Sequence, residues 1–181
     1  DVARNLNGVI INADALQVWS CWRVLSARPS AEEEARAPHR LYGHIAPGAD
    51  YSVGHWLRDL APLLAGDARP IITGGTGLYF TALTQGLTEI PPVPANIRAE
   101  ADARMAAEGA APMLAELDMR TAARIDRLNP ARIQRAWEVQ RTTDRGLAAW
   151  QDETTRPLLP LDKADALVLT PDRDWLADRI D

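Results

Sequence analysis

The chain has 181 residues, 46% of them apolar, a formal net charge of −5 and a single cysteine. That length suits about one domain, or one domain carrying an insertion, and the charge excludes a global basic field, so a nucleic-acid partner has to be met by a local patch. No apolar run reaches the roughly 18 residues of a membrane span, no basic-then-apolar segment opens the sequence, and Cys21 alone cannot form an internal disulfide, which fits a reducing compartment.

In chain order, "DVARNLNG" reads as the tail of a helix with Gly8 at its C′ position. Residues 9–12 form a short buried strand, with Asp14 just past its carboxyl end. "SAEEEARAP" predicts a short helix capped by Ser30, its acids suiting the helix dipole. "YSVGHWLRDLAPLLAGD" predicts a helix capped by Ser52 and kinked or cut short by Pro62. Ile71, Ile72 and Thr73 make a second strand, followed by a helix over 76–84. Strand, helix, strand, helix implies a parallel sheet with right-handed crossovers.

After "IPPVP" (90–94) the pattern becomes helical: 95–108, 112–117, 121–125, then a helix carrying 131–141 with Asn129 as N-cap and Pro130 at its first position. No strand is expected there, and "TTDRG" bounds the stretch. "ALVLT" (166–170) returns as a strand, and Thr170-Pro171 opens a last helix. The expected layout is an α/β core over 1–90 and 160–181, with a helical insertion over 91–159. Both ends read as cut.

Three stretches carry candidate chemistry. In "PIITGGTGLYFTAL", Gly74, Gly75 and Gly77 surround Thr76 at a strand-to-helix turn. Glycines there allow close approach of a ligand, and the following helix presents free N–H groups. A tight turn with a capping threonine explains the same residues. In "INADALQVW", Asp14 occupies the rim of a sheet, where ligands of open α/β folds bind. It can accept a proton or help hold a metal, or merely cap a turn; Gln17 can bond a base edge or its own loop. In "NPARIQRAWEV", Arg132 and Arg135 share a helix face beside an apolar stripe of Ile133, Ala136 and Trp137. The arginines suit phosphate contacts or an ordinary solvated face. His39, His44 and His55 lack metal-ligand spacing, and most tryptophans are expected to pack in cores.

Together, "INADALQVW", "ARPSAEEEARAPHRLYGHI", "YSVGHWLRDL", "PIITGGTGLYFTAL" and "NPARIQRAWEV" resemble, in order and spacing, the bacterial tRNA dimethylallyltransferase (isopentenyl transferase) family across essentially the whole chain. The resemblance implies a P-loop kinase-like core with a helical insertion that grips the anticodon stem-loop. It implies transfer of a dimethylallyl group from dimethylallyl diphosphate to N6 of adenine 37 of tRNA, assisted by Mg2+. It assigns Asp14 as the general base, and Asp14, Ala15, Leu16, Gln17, Thr76, Arg98, Ala131, Arg132, Ile133, Gln134 and Arg135 as tRNA-contacting positions. A cytoplasmic monomer is expected.

The family opens on a Gly-Pro-Thr-Ala-Ser-Gly-Lys-Thr phosphate loop, which these residues do not contain, so no protein ligand for metal or diphosphate is assigned here. This polypeptide is therefore expected to be inactive alone, and the intact gene product active. Ala15 stands where the family has serine, Trp19 where it has tyrosine, and Asp144 where glycine is common. An adenylate isopentenyltransferase acting on free nucleotide, and a noncatalytic nucleic-acid-binding protein of the same fold, remain open alternatives.

Overall fold

The computed structural model describes residues 1–88, 90–153 and 156–180; Glu89, Thr154, Thr155 and Asp181, which the expected domain ranges include, lie outside the described residues. Contacts divide the chain into two compact units, Asp1–Gln85 with Pro157–Asp181, and Gly86–Arg156.

The first unit opens on a short helix, α1 (Val2–Asn5). The left-handed residue after it is Asn7, at φ +49°, not Gly8. Asparagine tolerates that conformation because its short polar side chain bonds locally, so Gly8 is released to begin β1 (Gly8–Asn12). A β-carbon on Gly8 would sit 2.8 Å from the Arg69 carbonyl oxygen, which explains glycine at this crowded strand start. The short helix α2 (Ala31–Glu34) has the expected Ser30 cap, completed by Glu33 as a reciprocal capping box. A two-residue strand, β2 (His39–Arg40), follows. Helix α3 (Val53–Leu64) starts at Ser52, whose hydroxyl accepts from His55 N–H while the imidazole accepts from Ser52 N–H. The helix runs through Pro62 and ends two residues later. So near the carboxyl end, the proline removes one ladder bond without breaking the helix.

Strand β3 (Arg69–Thr73) and helix α4 (Gly77–Gln85) complete the core. The sheet order is β2-β1-β3, with both pairings parallel and Asn12 opposite Thr73. The parallel α/β architecture is thus the one expected. Val9, Ile11, Ala13, Trp56, Leu60, Tyr79 and Leu83 form the buried cluster that joins β1 to α3 and α4. Residues 166–170 are not a strand: Leu167, Val168 and Leu169 are more than four-fifths exposed. Their β-branched, apolar character is a local preference, and a strand also needs a neighbour to bond. The last helix, Arg173–Ala177, is capped by Asp172 rather than Thr170, its carboxylate accepting from Asp174 and Trp175 N–H.

The second unit is helical: α5 (Ala95–Glu108), α6 (Ala110–Glu116), α7 (Met119–Arg124), α8 (Pro130–Thr143) and α9 (Leu147–Gln151). Its core is Ala101, Met113, Leu117, Ile133, Ala136 and Trp137. Asn129 caps α8 as expected, its side chain accepting from Arg132 N–H at 3.2 Å. The helix ends at Asp144 in the left-handed conformation, φ +52°, which gives the physical reason glycine suits this position. The first unit finishes with a 3-10 turn at Leu161–Lys163 and α10 (Arg173–Ala177). Among the described residues no helix is long and apolar enough to cross a membrane.

Candidate active site

The pairing of Asn12 with Thr73 brings β1 and β3 to their carboxyl ends side by side. The chain leaving one strand is then stitched to the chain leaving the other. Ala13 N–H donates to the Thr73 carbonyl at 2.8 Å, and Thr76 N–H donates back to the Ala13 carbonyl at 3.2 Å. The Thr76 hydroxyl oxygen accepts from Ala15 N–H at 2.9 Å. Gly74 makes this approach feasible: a β-carbon there would clash with the Ala13 carbonyl group and sit 2.7 Å from Asp14 N. The backbone of one turn occupies the volume a side chain on the other would need.

Asp14 is half-buried at this rim. Its Oδ1 accepts from Leu16 N–H at 2.8 Å and Gln17 N–H at 3.4 Å, an Asx turn that fixes the carboxylate plane. Its Oδ2 has no hydrogen-bond partner among the described residues and faces Gly75, 3.5 Å from where a β-carbon would be. Burial, with the Asp14 charge contributing, pushes the Tyr42 phenol up to about 12. Burial and the same charge raise Tyr79. Both therefore stay protonated near neutrality. Tyr79 stacks on Trp56 at 4.5 Å between ring centroids, and Trp56 Nε1–H donates to the Asn12 carbonyl at 2.7 Å.

The structure thus brings Asp14, Ala15 and Thr76 together. Leu16 lies beside them and is 58% exposed. Gln17 turns away: its amide donates to the Ser26 carbonyl at 3.0 Å and is used by its own loop. Arg98, Ala131, Ile133, Arg132, Gln134 and Arg135 belong to the second unit. Arg98, Ala131, Arg132 and Arg135 are exposed, and among the described residues the last makes only a long ion pair of 3.9 Å with buried Glu138. Gln134 Nε2 donates to Asp102 at 2.6 Å and to Glu138 at 3.1 Å. Ile133 is a core residue, 2% exposed, so its side chain is directed into the helical core. The histidines serve local structure: His55 in a capping box, His44 against Tyr51, His39 against the Ala37 carbonyl. Among the described residues no three His, Cys, Asp or Glu side chains cluster in a way that fits a metal ion. Sequence reasoning missed Asn12 beneath Asp14, bonded to its main chain; the only available signal was an amide ending a buried strand.

Comparison with known proteins bears on the chain as a whole. The family model described as IPP transferase matches residues 17–181. The tRNA dimethylallyltransferase of Cereibacter sphaeroides strain KD131 is 66% identical over 174 residues, covering 96% of this chain and 55% of that protein. That of Dinoroseobacter shibae is 61% identical over 186 residues, covering 99% of this chain and 61% of the other. The chain therefore spans somewhat more than half the length of these curated relatives. Among solved structures, a eukaryotic dimethylallyltransferase acting on tRNA superimposes with a TM-score of 0.68 at 17% identity, over 84% of this chain and 40% of that one, a likeness of fold. With identity this high over nearly all its residues, the chain belongs to the IPP transferase family.

Proposed function

We propose that the protein containing these residues transfers a dimethylallyl group from dimethylallyl diphosphate to N6 of adenine 37 in the tRNA anticodon loop. Family membership supports the reaction class, and the names of the relatives supply tRNA and the dimethylallyl group. The observation that carries the residue assignment is the free Asp14 Oδ2 facing Gly75 beside the stitched Thr76 turn.

Adenine N6 is a poor nucleophile because its lone pair is delocalised into the ring. As the N6–carbon bond forms, the carbon–oxygen bond to diphosphate breaks and the diphosphate leaves with the electron pair. The N6 proton passes to Asp14 Oδ2, the oxygen not held by main-chain N–H groups. Gly75 and Gly77 leave the rim free of side chains, so an extruded purine fits against the backbone, at a flipping cost of about a few kcal/mol. Thr76 keeps its hydroxyl hydrogen for a contact to the nucleotide, because only its oxygen is engaged by Ala15 N–H. Ala15 has no hydroxyl to offer, so that contact falls to Thr76. Arg98, Arg132 and Arg135 are the cations proposed to meet the RNA backbone.

The core is read as P-loop kinase-like. The sequence contains no Gly-x-x-x-x-Gly-Lys-Ser/Thr turn, so no residue here is assigned to the diphosphate. Mg2+ enters the proposal as a counterion of that diphosphate; the described residues offer it no cage, and no step runs through it. The reading is tested by incubating the full-length protein with dimethylallyl diphosphate and an anticodon stem-loop RNA, then digesting the RNA and analysing nucleosides by mass. N6-dimethylallyladenosine is the expected product; unmodified adenosine under conditions where a relative is active overturns the proposal.

A further inference from the structure

Beneath the Asp14 turn lies a polar group that the proposed reaction does not use. Asn12 ends β1 and is 0% exposed. A buried amide is informative because leaving any of its polar atoms unpaired is costly. Here both polar atoms of the amide are bonded, and two of its three bonds go to one residue. Its Oδ1 accepts from Asp14 N–H at 2.9 Å, and its Nδ2 donates to the Asp14 carbonyl at 2.9 Å. The second Nδ2 hydrogen goes to the Leu41 carbonyl at 3.1 Å. Leu41 holds a left-handed backbone, φ +62°, unusual for a branched residue and sustained only where surrounding contacts over-determine it. The main chain of the same residue is held too: the Asn12 carbonyl accepts from the buried Trp56 indole Nε1–H at 2.7 Å.

We infer that Asn12 is a positioning residue that grips both main-chain polar groups of Asp14 and thereby aims its free carboxylate oxygen at the glycine-lined gap. The inference rests on the reading of Asp14 as the proton acceptor. Holding both the N–H and the carbonyl of one residue restricts its two backbone dihedrals, and with Oδ1 tied down by Leu16 and Gln17 the remaining oxygen has one direction left. The Leu41 bond ties this geometry to the segment after β2, so Asn12 joins three stretches of chain at the site. Asp supplies the same shape without the two donated hydrogens, and Leu without any polar group, so neither replaces asparagine here.

The test is a double-mutant cycle in the full-length protein, using Asn12→Leu and Asp14→Asn alone and together, with kcat and KM measured for RNA and for dimethylallyl diphosphate. The expected result is a fall in kcat of about 10- to 100-fold for Asn12→Leu, KM values nearly unchanged, and no further fall when it is added to Asp14→Asn. Loss by the same factor in both backgrounds, a rise in KM alone, or wild-type kcat overturns the inference. An Asp14→Asn protein with wild-type kcat instead overturns the underlying assignment of the base, so the two failures are distinct. Should Asn12→Leu not fold, Asn12→Ser takes its place in the cycle. Its hydroxyl accepts from Asp14 N–H but is too short to reach the Leu41 carbonyl, so an intermediate loss of kcat is expected, and full activity overturns the inference.

Discussion

The Oδ2 atom of Asp14 lies 3.5 Å from the point where a β-carbon on Gly75 would stand, while Oδ1 is held by the Leu16 and Gln17 N–H groups. The two oxygens of one carboxylate therefore have separate tasks. Asp14→Asn retains an oxygen for the main-chain bonds and replaces the outward one with an amide nitrogen that cannot accept a proton. In the full-length protein this substitution is expected to lower kcat by roughly 10²- to 10⁴-fold and to leave RNA affinity nearly unchanged. Single-turnover kinetics with a filter-binding measurement checks it; an equal rate refutes the role of Asp14.

Gly74 and Gly77 are three residues apart yet face different surroundings. A methyl group on Gly74 meets the backbone of Ala13 and Asp14, whereas nothing lies within 4 Å of one on Gly77. Gly74→Ala should destabilise the protein by about 1–3 kcal/mol, the usual range for overpacking, and pull the two turns apart. Gly77→Ala, at the start of α4, should be neutral or stabilising by up to about 1 kcal/mol. Denaturant titration of the two variants against wild type reads the difference.

Arg132 and Arg135 are exposed on α8, beside its buried Ile133, Ala136 and Trp137. Replacing both with alanine should weaken RNA binding across sequences and reduce the slope of log affinity against log salt by about 1–2. An unchanged slope would mean that the pair only coats the helix surface. Fold should be unaffected, because neither side chain belongs to the core.

In the helical unit, Arg104 donates to both oxygens of Glu116, at 2.9 and 2.7 Å, and Trp137 Nε1–H donates to the same carboxylate at 2.6 Å. These bonds, the arginine foremost, hold the Glu116 carboxyl down to about 2. A depressed native value contributes stability that is complete above the unfolded carboxylate value, near 4.3, and is lost as pH falls through the native one. Stability should therefore decline as pH drops from about 4 toward 2. Glu116→Gln should flatten that part of the profile, as measured by urea unfolding across the pH series. Glu116 is nearly half exposed, so solvent screening keeps the effect small.

What could be read from the sequence was what local chemistry determines. Ser30, Ser52 and Asn129 announce their helices because a cap acts within three or four residues of itself. The apolar run at 9–11 announces β1 by its β-branched content. What escaped depends on distant partners. His39 and Arg40 carry no strand pattern and are a strand only because β1 lies beside them. Residues 166–170 carry the pattern but have no bonded neighbour. Leu147–Gln151 is too short a helix for its periodicity to register. At the candidate site, Asp14 and the glycine turn were visible as residue types at strand ends. Asn12 was not, because an amide closing a strand looks the same whether it faces water or clasps the backbone of a neighbour.

Among the described residues strand β3 is the last in the sheet order, and this position has a mechanical corollary. Thr73 directs its carbonyl toward β1, so by alternation Pro70 and Ile72 turn their polar groups to the outer flank. Proline has no hydrogen to give there, which leaves Ile72 as the only full rung on which another extended peptide can hang. Any extended segment that joins the sheet at this flank therefore finds one complete rung at Ile72 and a lone carbonyl at Pro70.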